Sequence, residues 1–194
     1  MNYLDNYHRW LESDAVDEDT KKELREIQGN PEEIESRFTS MLEFGTAGLR
    51  GVMQAGLNGM NVYTVRHATQ AFANIIRNCG ENIGDGVTIA HDCRNNSRAF
   101  ACEAASVLMA NGIHVNLFED LRPTPELSFA IRETGSIAGI NITASHNTKE
   151  FNGYKAYWAD GAQMPPEHAQ KVSQEMARID IFDDIQLIDL EEAA

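Results

Sequence analysis

The chain has 194 residues, 42% of them hydrophobic and 24% charged, which suits one soluble globular domain with an appendage and excludes a disordered segment. No run approaches the roughly 18 apolar residues of a membrane span, and the opening MNYLDNYHRW lacks the basic-then-apolar order of a secretory signal, so a cytoplasmic protein without a membrane partner is expected. The net charge of -14 argues against nucleic acid; half of it sits in residues 1–43 and half in residues 159–194, leaving a neutral middle that keeps Arg50, Arg94, Lys149 and Lys155 for an anionic ligand.

Read in chain order, the first 40 residues are helical in character. Asp17 or Asp19 can cap a stretch with Leu24 and Ile27 on one side, and Gly29-Asn30-Pro31 breaks it before EEIESRF begins another turn or two. VYTVRHATQAFANIIR then places Val62, Val65, Thr69, Phe72 and Ile76 on one stripe of a helix. The glycines of GENIGDG mark a turn and do not match a dinucleotide fingerprint. VTIA follows as a short buried strand, and SRAFACEAASVLMAN as a helix with Phe100, Ala104, Val107, Leu108 and Asn111 on one face, ended by Gly112. IHVNLF is the next strand, Pro123 and Pro125 introduce a helix near Glu126 to Arg132, and SIAGINI is an apolar strand. The polar loop TASHNTKEFNG leads to a strand at YKAYW, and PPEHAQKVSQEMARI forms a last helix with Ala169, Val172, Met176 and Ile179 on its stripe.

Alternating strands and helices of this kind build βαβ units. The expected fold is α/β, a three-layer α/β/α arrangement around a mostly parallel mixed sheet, with a helical N-terminal preface. The expected partition is a helical extension over 1–40, an α/β domain over 41–180, and a connector over 181–194 that leads toward a further domain. In such a connector Ile181, Phe182, Ile185, Leu187, Ile188 and Leu190 would stay exposed. Cys79, Cys93 and Cys102 contain no CxxC pair and are read as core thiols.

In open α/β sheets ligands sit beyond the carboxyl ends of parallel strands, which directs attention to the loops after VTIA and SIAGINI. The second loop gathers Ser145, His146, Asn147, Lys149, Asn152, Gly153 and Lys155 within a short polar stretch. Ser145 offers an oxygen nucleophile, Lys149 and Lys155 offer positive charge, and Gly153 permits close backbone approach, a set suited to an anion; the same residue types also make an ordinary turn. Acyl transfer is disfavoured, because Thr143 and Asn147 stand where a G-x-S-x-G elbow needs glycine. FGTAGLRG presents Arg50 from a glycine-rich turn, with a surface ion pair as the alternative use. HDCRNNS reads as a helix start capped by Asn96 or Ser97, and the spacing of His91, Asp92 and Cys93 matches no common metal site.

Together, FGTAGLRG, DCRNNS and TASHNTKEFNGYK occur in the order of three signatures of the phosphoglucomutase/phosphomannomutase (α-D-phosphohexomutase) family, and the chain resembles its first domain from about Glu43 to Gln163. ITASHN, NGYK and DGAQ look like the branch that holds bacterial phosphoglucomutases and phosphopentomutases. The resemblance implies that Ser145 is the phosphorylated serine, that Arg50 and Lys155 contact its phosphoryl group or assist proton transfer, that His146 touches the site as a further catalytic residue, and that Ser145 holds Mg²⁺ through its phosphate. It implies a phosphorylated hexose as substrate and a hexose 1,6-bisphosphate as activator and intermediate. The family's DGDxDR metal loop does not occur in these 194 residues, so the remaining Mg²⁺ ligands and the sugar-selecting segments are expected from other domains, and the chain by itself is expected to be inactive. Thr148 replaces the family's usual proline and loosens the loop slightly. A stand-alone sugar-phosphate-binding module without catalysis is the alternative, and a serine hydrolase the third reading.

Overall fold

A computed structural model describes residues 2–46, 48–79 and 86–190 of the chain. Helices α1 (Tyr3–Glu12), α2 (Glu18–Glu26) and α3 (Pro31–Phe38) come first, followed by β1 (Gly48–Val52), α4 (Val62–Asn78), β2 (Val87–His91), α5 (Ser97–Ala110) and β3 (Val115–Leu117). The remainder is α6 (Thr124–Glu133), β4 (Ala138–Ile142), β5 (Phe151–Trp158) and α7 (Pro166–Met176). Most of GENIGDG lies outside the described residues.

The local reasons for these elements are largely side-chain caps. Asp17 accepts from the Thr20 amide to start α2, Asn30 accepts from Glu33 ahead of α3, and Asn61 with Thr64 makes a reciprocal capping box at α4. At the other end of α5, Gly112 takes a φ of 73° and the Ile113 amide reaches back to the Leu108 carbonyl, which stops the helix where the sequence predicts.

The sheet runs β1-β5-β4-β2-β3. β3, β2 and β4 are parallel, as helical crossovers require, whereas β5 is antiparallel to both β4 and β1. The link from β4 to β5 contains no helix and is too short for a crossover, so the chain must turn back on itself. The sheet is therefore mixed, and the pairing adds an edge strand, β1, that the glycine-rich stretch conceals. Helices α4, α5 and α7 enclose the main core with Val87, Ile89, Ala138, Ile140, Ile142, Tyr154 and Ala156 of the strands. α6 covers the other face, where Leu127 and Ile131 meet Ala90 and Tyr157.

The three N-terminal helices form a second core around Trp10, whose ring meets Phe38, Tyr63 and Phe182 edge-on at 5.1–5.8 Å. Tyr63 Oη donates to Asp17 at 2.6 Å, and Arg9 grips Asp180 with two hydrogen bonds of 2.7 and 2.6 Å. Ile181 and Phe182 are thus packed against the helical preface rather than exposed. Farther on, the Gln186 amide donates to Gln70 and Ser106 bonds both the amide and the carbonyl of Ile188 along α5, while the side chains of Leu187 and Ile188 remain 47% and 39% exposed. No described helix is long and apolar enough to cross a membrane.

His67 on α4 is fully buried; its Nε2 lies 3.1 Å from the Ile179 carbonyl and its Nδ1 has no partner among the described residues. Burial holds its pKa below the ordinary 6.5, against the opposite pull of the Ile179 carbonyl and the charges of Asp180 and Asp184. The unfolded chain consequently takes up this proton first as pH falls, and the stabilising contribution is present above about pH 6.5 and lost below it. Thermal melts are expected to show Tm falling from about pH 7 to about pH 5, with a shallower fall in His67→Gln; an equal slope in both proteins would remove His67 as the cause.

Candidate functional site

Beyond Ile142 the chain leaves the sheet in a turn built by its own side chains. Thr143 Oγ1 accepts the Ser145 amide at 3.0 Å, Ala144 is fully buried, and the Asn147 amide returns to the Ala144 carbonyl at 3.1 Å. Ser145 is held at a φ of 57°, in the left-handed region that costs a residue with a side chain about 1 kcal/mol. Its side chain is exposed, and Oγ lies 3.4 Å from His146 Nδ1, a long contact. Lys149 is exposed as well.

Arg50 and Lys155 arrive from β1 and β5. Leu49 and Tyr154 point into the core, so strand alternation turns Arg50 and Lys155 together to the opposite face. The register pairs Arg50 with Gly153 and Lys155 with Gly48. Both cations line one cleft of about 450 Å³ with Glu43, Gly45, Thr46 and Gln163. Burial and the neighbouring Arg50 charge lower the Lys155 pKa from 10.5, opposed by Asp92. Ser145 and His146 are outside the lining of that cleft. The link between them is Asn147, whose Oδ1 accepts from Arg50 Nη1 at 3.1 Å. Gly48, at a φ of 134°, has no room for a side chain, since a Cβ would run into the Tyr154 carbonyl.

The loop after β2 differs from its sequence reading. Asn96 occupies the N-cap position of α5 with a φ of 62° and makes no capping hydrogen bond; Ser97 instead donates to Asp92 Oδ1 at 2.7 Å. Arg94 turns away from the helix and donates to the carbonyls of Ser145 (2.9 Å), Asn147 (2.7 Å), Thr148 (2.8 Å) and Phe151 (3.1 Å). Asp92 lies 3.3 Å from its Nε. Asn152, fully buried, donates to the Asn95 carbonyl and to Ser97 Oγ and accepts from the Gly153 amide. The two loops are thereby one unit. Arg94, read from the sequence as a cation for an anionic ligand, is instead committed to main-chain carbonyls; the signal for this use is that both loops follow parallel strands, β2 and β4, that are neighbours in the sheet.

Among the described residues no group of three or more His, Cys, Asp or Glu side chains could hold a metal ion, and Asp92 is already committed to Arg94 and Ser97. These donors do not fit a Mg²⁺ ion unaided.

Comparison with known proteins gives three findings. The model of the phosphoglucomutase/phosphomannomutase α/β/α domain I matches residues 41–181. The chain is 39% identical over 173 residues to a Homo sapiens phosphopentomutase, covering 86% of this chain and 28% of that protein, and 40% identical over 166 residues to a Staphylococcus saprophyticus phosphoglucomutase, covering 85% and 29%. A crystal structure from Thermus thermophilus, assigned as a phosphomannomutase, superimposes with a TM-score of 0.66 at 30% identity, covering 79% of this chain and 34% of that one. The chain thus spans less than a third of the length of these two sequence relatives.

Gly153 carries the close approach of β1 to the turn, for a Cβ there would lie 2.7 Å from the Thr143 carbonyl oxygen and 3.0 Å from that of Leu49. Gly153→Ala is expected to cost about 1–3 kcal/mol, read as a lowered midpoint in denaturant unfolding, and an unchanged midpoint would show that the strands can part without penalty.

Proposed function

Because the chain belongs to the phosphoglucomutase/phosphomannomutase family, we propose that it carries the phosphoryl group, on Ser145, for a mutase that interconverts hexose 1-phosphate and hexose 6-phosphate through a 1,6-bisphosphate. Glucose is the first sugar to test, supported by the phosphoglucomutase relative, and a pentose the second, given the phosphopentomutase relative. The partition at residues 40 and 180, the Mg²⁺ ion on the seryl phosphate and further domains of the same enzyme belong to this proposal.

The observation that carries it is an exposed serine hydroxyl on a loop tied through Asn147 to Arg50, beside a cleft that Arg50 shares with Lys155. In the loading step Ser145 Oγ attacks a phosphorus of the bisphosphate, the Oγ–P bond forms, and the bond from phosphorus to the sugar oxygen breaks. The proton leaves Oγ and ends on the sugar oxygen, with His146 and Lys155 as its carriers. A lowered pKa suits Lys155 to this task, since its neutral form is reached at a lower pH than in a free lysine. Arg50 supplies a fixed charge against the equatorial oxygens, where phosphoryl transfer is governed by positioning and charge neutralisation.

The test is intact-mass analysis with peptide mapping after incubation of the chain with glucose 1,6-bisphosphate, Mg²⁺ and the remaining domains of the enzyme. One added phosphate on Ser145 is expected, none in Ser145→Ala, and a rate lower by about ten- to a hundredfold in Arg50→Ala and Lys155→Met. Equal uptake by Ser145→Ala, or phosphate mapped elsewhere, would refute the assignment. Reversible binding of glucose 6-phosphate with no phosphoserine would favour the binding module, and labelling of Ser145 by a fluorophosphonate the hydrolase. The 194-residue chain by itself is expected to show no turnover of glucose 1-phosphate in a coupled assay, because it spans 28–29% of the length of those relatives; sustained conversion would overturn that expectation.

A further inference from the structure

The four carbonyl contacts of Arg94 exceed what a capped helix start needs. We propose that Arg94 is the positioning residue of the phosphoryl-carrying loop, holding Ser145 in its left-handed conformation and orienting the peptide groups around it; the proposal rests on the reading of Ser145 given above.

The guanidinium is a planar fork with five donors, and here it meets main-chain oxygens spread over seven residues, from Ser145 to Phe151. Only 14% of the side chain is exposed, so these bonds are shielded from competition with water. Asp92 orients the fork from behind at 3.3 Å, and is itself fixed by Ser97 Oγ and by the Arg94 amide at 2.9 Å. The side chain that a surface arginine would leave mobile is therefore held at both ends.

The consequence for Ser145 comes from peptide geometry. In a trans peptide the N–H points opposite to the C=O. Drawing the carbonyls of Ser145, Asn147 and Thr148 onto one guanidinium turns the N–H groups of His146, Thr148 and Lys149 away from it. None of these three N–H groups has a hydrogen-bond partner among the described residues, and their residues are exposed. Carbonyl dipoles, which would repel a phosphoryl group, are thus neutralised on the inner side, while amide dipoles that attract one are left on the outer side. Arg94 touches neither substrate nor the reacting atoms in this scheme; it acts through the loop. A lysine there would keep the charge but meet the carbonyls with a single ammonium, losing the fork.

The test compares the wild-type chain, Arg94→Lys, and Arg66→Ala as a control that removes a guanidinium remote from the loop, with its pair to Glu103 and its contact over the Tyr63 ring. Two readings are taken: amide NMR spectra, and the rate of Ser145 phosphorylation as a function of glucose 1,6-bisphosphate concentration. Arg94→Lys is expected to shift and broaden the amides of residues 145–151 while leaving the strand amides in place. The saturating rate should fall about tenfold or more, with a smaller change in the half-saturating concentration, because positioning is lost more than binding. Should Arg94→Lys not fold, Asp92→Asn keeps the guanidinium but weakens its anchor and should give both changes in smaller measure. A disturbed loop with a wild-type rate, or a lowered rate in Arg66→Ala to the same extent, would sink the positioning role alone. If the wild-type chain takes up no phosphate with Mg²⁺ and the remaining domains present, the phosphoserine reading fails and this inference with it.

Discussion

The arrangement depends on one side chain in the loop after β2 reaching the main chain of the loop after β4. Parallel strands leave their loops at the same edge of the sheet, but nothing in strand pairing fixes those loops to each other. Arg94 does so through four carbonyls, and Asn152 does it again from the other direction by bonding the Asn95 carbonyl and Ser97. A loop of Ser, His, Asn, Thr and Lys has no apolar surface of its own to bury, so hydrogen bonds to a rigid neighbour are its means of adopting a single shape. The left-handed Ser145 is held by that network, with Thr143 and the buried Ala144 as its foundation.

The antiparallel half of the sheet does separate work. Had β5 continued the parallel pattern, Arg50 and Lys155 would have no common face near the same edge. Returning directly after the loop, β5 brings Lys155 back alongside β4, and the short edge strand β1 then sets Arg50 two rungs away on the same side. Gly48 and Gly153 allow this close pairing because neither carries a side chain into the neighbouring backbone. Two cations on one face repel, which is part of why the Lys155 pKa is lowered, and an anion between them would relieve that repulsion.

Much of this architecture was legible in the residues. The apolar stripe of α4, the cap at Asp17, the stop at Gly112 and the buried strands VTIA and SIAGINI all rest on local chemistry, and each element stands where that chemistry puts it. β1 was hidden because two glycines interrupt GLRGV, and its strand state comes from pairing with β5 rather than from propensity. The role of Arg94 was hidden for a related reason: a side chain that serves main-chain atoms some fifty residues away leaves no residue pattern at its targets. Ser145, Arg50 and Lys155 could be singled out by type and spacing, but the hydrogen bond from Arg50 to Asn147 needed the fold. The apolar side chains after residue 180 divide, for Ile181 and Phe182 find partners in Trp10 and Tyr63, which no local pattern reveals.

That last contact bears on how the polypeptide is assembled in time. Arg9 and Asp180 lie 171 positions apart, so their clasp closes a loop of nearly all the residues described and becomes favourable once the intervening sheet has brought its two ends together. On a ribosome the helices containing Trp10 and Phe38 emerge first, yet Phe182 is among the last of their neighbours to be synthesised. Until then the helical segment waits with part of its aromatic surface wet, where a chaperone's shelter would serve it.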